Sequence, residues 1–371
     1  MVALARWPPA LSVPSLLDPL ADLTSTASVS AVPVLPAGSR VLVTGAAGFI
    51  GSHLSFRLTS LAAVVVGLDN FNDYYSTALK RARQDRLRTA GVTLVEGDQC
   101  DDQLLQRLFA EHNFTHVAAL AAQAGVRYSI SHPQAYVRAN VQCFVSLLET
   151  VRLYPHVPVV YASSSSVYGT NTKVPFSEAD GTDDPASLYA ASKKMDEQVA
   201  RVYHRLYGLR MTGLRFFTVY GPWGRPDMAY FSLAAKIAAG EPIKVATGAQ
   251  RDFTYVEDIV DGVSAALALG ADEEVFNLGN HRVENVSRLV DVLEHELGVV
   301  ANRTWMPLPA GDIPLTNANT SHARALLGYE PNTTIDVGLR EFVRWFRSAD
   351  YREEFAVTWE SNATLNPTHT L

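Results

Sequence analysis

Apolar residues in this chain fall into short unbroken runs, separated by longer stretches with helical spacing, and the rhythm begins at Arg40. Val41–Thr44 is a β-branched run that stops at Gly45, and Ile50–Leu58 follows with apolar positions spaced for one helix face. Val64–Leu68, Val92–Val95, Val117–Leu120 and Val157–Ala162 repeat the pattern, each of strand length and each followed by enough chain for a helix. The basic stretch Lys80–Arg88 has helical spacing and reads as a solvated helix face. A sheet with one wet face alternates apolar and polar residues. Unbroken apolar strands need cover on both faces, which β-α-β units around a parallel sheet provide. The pattern therefore predicts an α/β fold, a doubly wound parallel Rossmann sheet, over residues 39–221.

Past Gly221 the rhythm breaks at Pro222, Pro226, Pro242, Pro307, Pro309 and Pro314. Residues 222–348 are expected to form a smaller lobe that holds the substrate and returns some segments to the first domain. Residues 1–38 are rich in Pro, Ala and Ser without a period and read as a disordered leader; residues 349–371 read as a flexible tail.

Composition narrows the function. The chain has 371 residues, and its net charge of −7 argues against a protein that binds nucleic acid by bulk charge. Two cysteines, Cys100 and Cys143, are too few for a disulfide scaffold or a structural zinc site, and read as reduced, inert thiols. The histidines show no metal-ligand spacing, so no metal is expected. No apolar run approaches the ~18 residues of a membrane span, which favours a cytoplasmic location.

The first strand leads into Gly45-Ala46-Ala47-Gly48-Phe49-Ile50-Gly51. Glycines at this spacing let the backbone turn tightly and approach a pyrophosphate, and a helix that opens there offers free N–H groups to the anion. A glycine triplet alone is a weak signal among 23 glycines, but this one follows a strand, opens a helix and is answered by Asp69 at the end of the second strand. A carboxylate at that place accepts hydrogen bonds from a ribose 2′-hydroxyl and repels a 2′-phosphate, which selects NAD over NADP.

Tyr189 and Lys193 stand at i and i+4, on one helix face. A neighbouring ammonium favours the phenolate, the form a tyrosine base needs. The fifth apolar run ends in Ser163-Ser164-Ser165-Ser166, which places hydroxyls at the carboxyl end of a strand, where such sheets bind ligands.

On these residues the chain resembles the extended short-chain dehydrogenase/reductase family. Within it, the chain is similar to the nucleotide-sugar 4-epimerases, those of UDP-glucuronate above all, over about residues 40–348. Gly45, Gly48 and Gly51 match the family's phosphate turn, Asp69 with Asn70 the adenosine-ribose clamp, and Asp98 the acid near adenine. Ala121, Ala122 and Gln123 match the segment along the cofactor, Asn140 the family's helix asparagine, and Ser164, Tyr189 and Lys193 the catalytic set. The related dehydratases carry Thr-Asp-Glu where this chain has Ser164-Ser165-Ser166, and the related decarboxylases carry a Glu in place of Ser166. Without those carboxylates both chemistries lack their acid–base groups. The segments Arg215–Met228, with Phe216 on the cofactor side, and Arg251–Tyr255 also look like the UDP-glucuronate enzymes. Pro309, Asn317 and Asn319 depart from that pattern on the uridine side.

The resemblance implies bound NAD, a UDP-sugar substrate and inversion at C4 through a transient 4-keto sugar. Tyr189 would take the O4 proton beside Ser164, and Lys193 would hold the nicotinamide ribose. Arg251 would hold the diphosphate and Asp312 the uridine ribose. Ser165, Ser166, Thr218 and Arg225 would hold a glucuronate carboxylate. It also implies a homodimer, and Golgi residence as an alternative, because plant relatives carry a membrane anchor. A UDP-glucose 4-epimerase, a UDP-glucuronate decarboxylase and a non-catalytic NAD-binding scaffold are the competing readings.

Overall fold

The computed structural model describes residues 32–308 and 313–358. Its strands, in chain order, are β1 (Arg40–Thr44), β2 (Val64–Asp69), β3 (Thr93–Glu96), β4 (His116–Ala119), β5 (Val159–Ser164), β6 (Met211–Phe216), β7 (Thr218–Tyr220), β8 (Ile243–Ala246), β9 (Gln250–Tyr255), β10 (Glu273–Leu278), β11 (Val283–Asn285) and β12 (Arg303–Met306). Seven of them form one sheet in the order β10-β6-β5-β4-β1-β2-β3. Every neighbouring pair is parallel. The order reverses between β1 and β4, which opens a crevice at their carboxyl ends.

The double cover expected from the unbroken apolar strands is visible within β1. Val41 and Val43 pack with Leu54 and Leu58 of helix α1 (Phe49–Ser60) and with the helix Val256–Leu269. Leu42, between them, packs on the opposite face with Leu105 and Phe109 of helix α3 (Asp102–His112) and with Leu147. Each fully buried side chain of this size contributes about 1.5–3 kcal/mol. The remaining strands build a three-stranded sheet, β11-β9-β7, and a pair, β12-β8. These rest on an aromatic cluster that includes Tyr230, Phe231, Phe342 and Trp345. β10 lies far along the sequence yet closes the edge of the large sheet beside β6.

Local sequence sets where the site-bearing helices begin. The Oγ of Ser187 accepts the Ala190 N–H at 3.1 Å, and the helix Leu188–Tyr207 starts there, with Tyr189 in its first turn. Gly208 ends that helix in the left-handed region at φ +68°. Asp101 caps α3 through the Leu104 N–H at 2.9 Å.

Four expectations need correction. Cys100 and Cys143 are joined in a disulfide rather than left as free thiols, because the loop before α3 lies against the helix Cys143–Val151. The basic helix α2 (Thr77–Thr89) is not a wholly solvated face: Lys80 and Arg83 are buried. Arg83 can be buried because its guanidinium reaches the carbonyls of Ala47, Trp223 and Gly224 and the hydroxyl of Tyr75. Residues 349–358 of the expected tail are packed, with Phe355 fully buried, since its ring fills the aromatic cluster; residues 359–371 lie outside the described residues. The packed chain also begins before residue 39, with Leu35 in the core; residues 1–31 of the expected leader lie outside the described residues.

Candidate functional site

One cleft of about 1750 Å³ runs from the β1–β4 crevice to residues of β7, β8 and β9. It exceeds the ~300–1,000 Å³ of a site for one small molecule, so it has room for a dinucleotide and a second ligand. Gly45, Gly48, Phe49, Ile50 and Gly51 line one end. Gly45 has φ +70°, and a Cβ there would come within 2.9 Å of the Ala121 backbone; a Cβ on Gly48 would meet the Gly45 carbonyl at 2.8 Å. Glycine at these positions lets the turn pack this closely on itself and on Ala121, while Ala121 N–H donates to the Thr44 hydroxyl at 3.1 Å and fixes the two strand ends together.

Asp69 lines the same end. Its Oδ2 accepts the Ala47 N–H and its Oδ1 the Phe71 N–H, each at 2.9 Å. A carboxylate can accept about four hydrogen bonds, so each oxygen keeps capacity for a ribose hydroxyl. Asn70 and Asp98 line the wall beside it. Asp98 accepts from the Cys100 N–H and from Arg138 at 2.9 Å each, and these bonds outweigh burial and hold its carboxyl below the usual range. Ala121, Ala122, Gln123 and Phe216 continue the wall. Asn140 does not line the cleft among the described residues. It is buried behind Gln123, accepting its N–H at 2.7 Å and donating to its carbonyl at 3.0 Å and to Ser192 at 2.9 Å. Its part is to hold the cofactor-side backbone against the Tyr189 helix.

Ser164, Tyr189 and Lys193 all line the cleft. Ser164 Oγ caps the short turn Ser165–Tyr168 by accepting the Ser166 N–H at 3.2 Å. Tyr136 stands edge-on to Tyr189, ring centroids 6.0 Å apart, and its own hydroxyl is committed to the Ala124 carbonyl at 2.9 Å. Lys193 Nζ donates to the Ala162 carbonyl at 2.9 Å and to Asp196 at 3.0 Å. Ser165, Ser166, Thr218, Arg225 and Arg251 line the far half. Arg225 pairs with Asp227 through Nε at 3.0 Å and Nη2 at 2.5 Å, and Tyr74 donates to the same carboxylate at 3.0 Å. Burial disfavours the guanidinium charge, but Asp227 more than offsets it and raises the pKa. Arg251 Nη1 donates to the carbonyls of Gln250 at 2.8 Å and Pro314 at 3.2 Å. Asp312 lies outside the described residues.

Comparison with known proteins fits this geometry. The family model described as "NAD dependent epimerase/dehydratase family" matches residues 41–279. The chain belongs to the NAD dependent epimerase/dehydratase family. It is 53% identical to UDP-glucuronate 4-epimerase 2 of Arabidopsis thaliana over 329 residues, 83% of this chain and 76% of that one. The structure superposes on UDP-glucuronic acid 4-epimerase from Bacillus cereus, solved with UDP-glucuronic acid and NAD, with a TM-score of 0.78 and 32% identity, covering 83% of this chain and 99% of the other. It also superposes on UDP-glucose 4-epimerase from Thermotoga maritima, solved with UDP-glucose, with a TM-score of 0.73 and 30% identity over 83% and 98% of the two chains. As in other NAD-dependent members of the epimerase/dehydratase family, the cofactor is NAD, and the glycine turn and Asp69 suit it. Among the described residues no helix is long and apolar enough to cross a membrane.

Several residues that support the family site carried no sequence signal. Arg83 joins the glycine turn, through Ala47, to the Trp223–Gly224 loop after β7. Glu197 binds Arg215 through both carboxylate oxygens at 2.8 and 2.9 Å and accepts from Ser163 at 2.7 Å. It thereby fastens β5 and β6 to the Tyr189 helix. Its place at i+4 from Lys193 puts Glu197 on the same helix face as Tyr189 and Lys193.

Proposed function

We propose that this protein inverts C4 of a UDP-sugar, with UDP-glucuronate converted to UDP-galacturonate as its main reaction. The observation that carries the reading is the Ser164, Tyr189 and Lys193 set in the cleft that begins at the glycine turn, with serines where elimination or decarboxylation would need carboxylates. When bound, NAD would supply reversible hydride-transfer chemistry at C4, which lets the sugar be oxidised and restored with no net oxidation. Tyr189 takes the proton from O4 and returns it, and Ser164 shares a hydrogen bond with that oxygen. Lys193 presents an ammonium to the cofactor side of the cleft, held by the Ala162 carbonyl and Asp196.

A 4-keto glucuronate is a β-keto acid, so the site must hold its carboxylate away from the alignment that releases CO2. Ser165, Ser166 and Thr218 offer hydroxyl donors in that half of the cleft. Arg225 reaches the same half already paired with Asp227, so a carboxylate arriving there shares a guanidinium whose charge is locally balanced. Arg251 is the diphosphate candidate and Asp312 the ribose candidate. The neutral-sugar reaction is the second reading, favoured by the likeness to the UDP-glucose enzyme.

Purified protein incubated with UDP-glucuronate should give UDP-galacturonate without CO2, and faster than it interconverts UDP-glucose. Release of CO2, or a preference for UDP-glucose, would overturn the substrate assignment. A homodimer completes the proposal. Met195, Val202 and Leu206 leave an apolar stripe exposed along the Tyr189 helix. Sedimentation should return twice the chain mass.

A further inference from the structure

Beneath the catalytic pair lies a buried carboxylate that the reaction just described does not use. Asp196 is one helical turn past Lys193, and both side chains are about 95% buried. Its Oδ2 accepts from Lys193 Nζ at 3.0 Å, while its Oδ1 is buried with no hydrogen-bond partner. A lysine ammonium has three N–H donors. The Ala162 carbonyl takes one at 2.9 Å and Asp196 another, which leaves one for whatever occupies the cleft. A charged acid with one oxygen unpartnered is costly to keep in the interior, so its presence calls for an explanation.

We propose that Asp196 is a positioning residue for Lys193: it fixes the ammonium against β5 and sets how much positive charge Tyr189 experiences. The surroundings support the second half. On the same helix the neighbours of Asp196 are Lys193 and Glu197; from β5 Tyr161 faces it, and from β6 Arg215 reaches the cluster through Glu197. The turn Ser165–Tyr168 adds Tyr168, bonded to Arg215, and the helix Pro133–Tyr136 adds Tyr136 against Tyr189. The helix Cys143–Val151 adds Glu149, which is bonded to Tyr203 two turns away. Glu197 is answered by Arg215, so Asp196 is the carboxylate that answers Lys193. Burial pushes the Asp196 carboxyl up to about 6 against the pull of Lys193, so it sits close to losing its charge just below neutral pH.

The inference rests on the epimerase reading for its kinetic arm and on NAD binding alone for its second arm. Asp196→Asn keeps an acceptor for Lys193 and removes one negative charge seven residues from Tyr189, about 10 Å along the helix. At that distance a unit charge is worth about one pH unit. The expected result is an acid limb of the kcat profile moved down by about one unit, with the plateau kcat within a few-fold of the parent. Asp196→Ala loses the tether as well. Its kcat should fall at least tenfold with KM for UDP-glucuronate unchanged, and NAD should leave several-fold faster after gel filtration of the loaded protein. An acid limb of Asp196→Asn that stays in place or moves up overturns the charge-setting role. NAD release from folded Asp196→Ala at the parent rate overturns the tether. Should Asp196→Ala fail to fold, Asp196→Ser, too short to reach Lys193, takes its place in the release measurement, with several-fold faster release predicted and a parent-like rate overturning the tether. If the parent turns over no UDP-sugar, the epimerase reading fails while the NAD-release comparison still judges Asp196.

Discussion

Removing the carboxylate of Glu197 should cost this protein about 3–5 kcal/mol and most of its turnover. The side chains of Glu197 and Arg215 are 6% and 5% exposed, and they meet through two hydrogen bonds of 2.8 and 2.9 Å. Glu197→Ala strands a buried guanidinium and the Ser163 hydroxyl, and breaking one partner of such a pair carries a penalty of about that size. The remaining bond of Arg215, to the Tyr168 hydroxyl at 3.0 Å, cannot neutralise its charge. Ser163 sits next to Ser164 and Arg215 next to Phe216, so loosening the pair also loosens one wall of the cleft against the helix that carries Tyr189. Urea unfolding followed by tryptophan fluorescence gives the stability, and product formation from UDP-glucuronate gives kcat, expected to drop at least tenfold. The double variant Glu197→Leu with Arg215→Leu should regain at least half of the lost stability, because no charge is then left alone. A Glu197→Ala protein within about 1 kcal/mol of the parent would refute the reasoning, since it would mean that the buried guanidinium finds water or another acceptor.

Other expectations follow from single contacts. Reducing the Cys100–Cys143 disulfide, which closes a separation of 43 residues, should lower stability by up to about 4 kcal/mol on loop entropy; thermal unfolding with and without dithiothreitol, repeated on Cys100→Ser, checks it. Asp69→Ala should loosen NAD at least tenfold and weaken discrimination against NADP, read by equilibrium dialysis of both dinucleotides, because the carboxylate holds the glycine turn through Ala47 and keeps acceptor capacity that a ribose hydroxyl would use. Tyr189→Phe should lower kcat by about 10²–10⁴, the usual worth of a positioned acid–base group, with NAD and fold retained.

Much of the sheet was legible because its strands are buried on both faces, and that condition writes itself into sequence as unbroken apolar runs. The five strands read in this way appear within two residues of their expected ends. The glycine turn, Asp69 and the Tyr189–Lys193 spacing were legible for a different reason: each needs one residue type at one local offset. What stayed hidden depends on distant chain. Arg83 looks like any other charge on a basic helix until Trp223 and Gly224 fold over it. The cysteine pair gave no signal of its bond, since 43 residues separate its members. Asn140 was recognised by position, but its work behind Gln123 follows only from packing. Arg225 was expected from the resemblance and lines the cleft, yet its pairing with Asp227 depends on the local turn that brings the two side chains together.

The most direct test follows deuterium placed at C4 of UDP-glucuronate. If Tyr189 moves only the O4 proton while the bound dinucleotide carries the C4 hydrogen out and back, the epimer should retain the label at C4 of the same molecule, with none lost to water. Label washed into solvent, or passed between sugar molecules, would contradict the account.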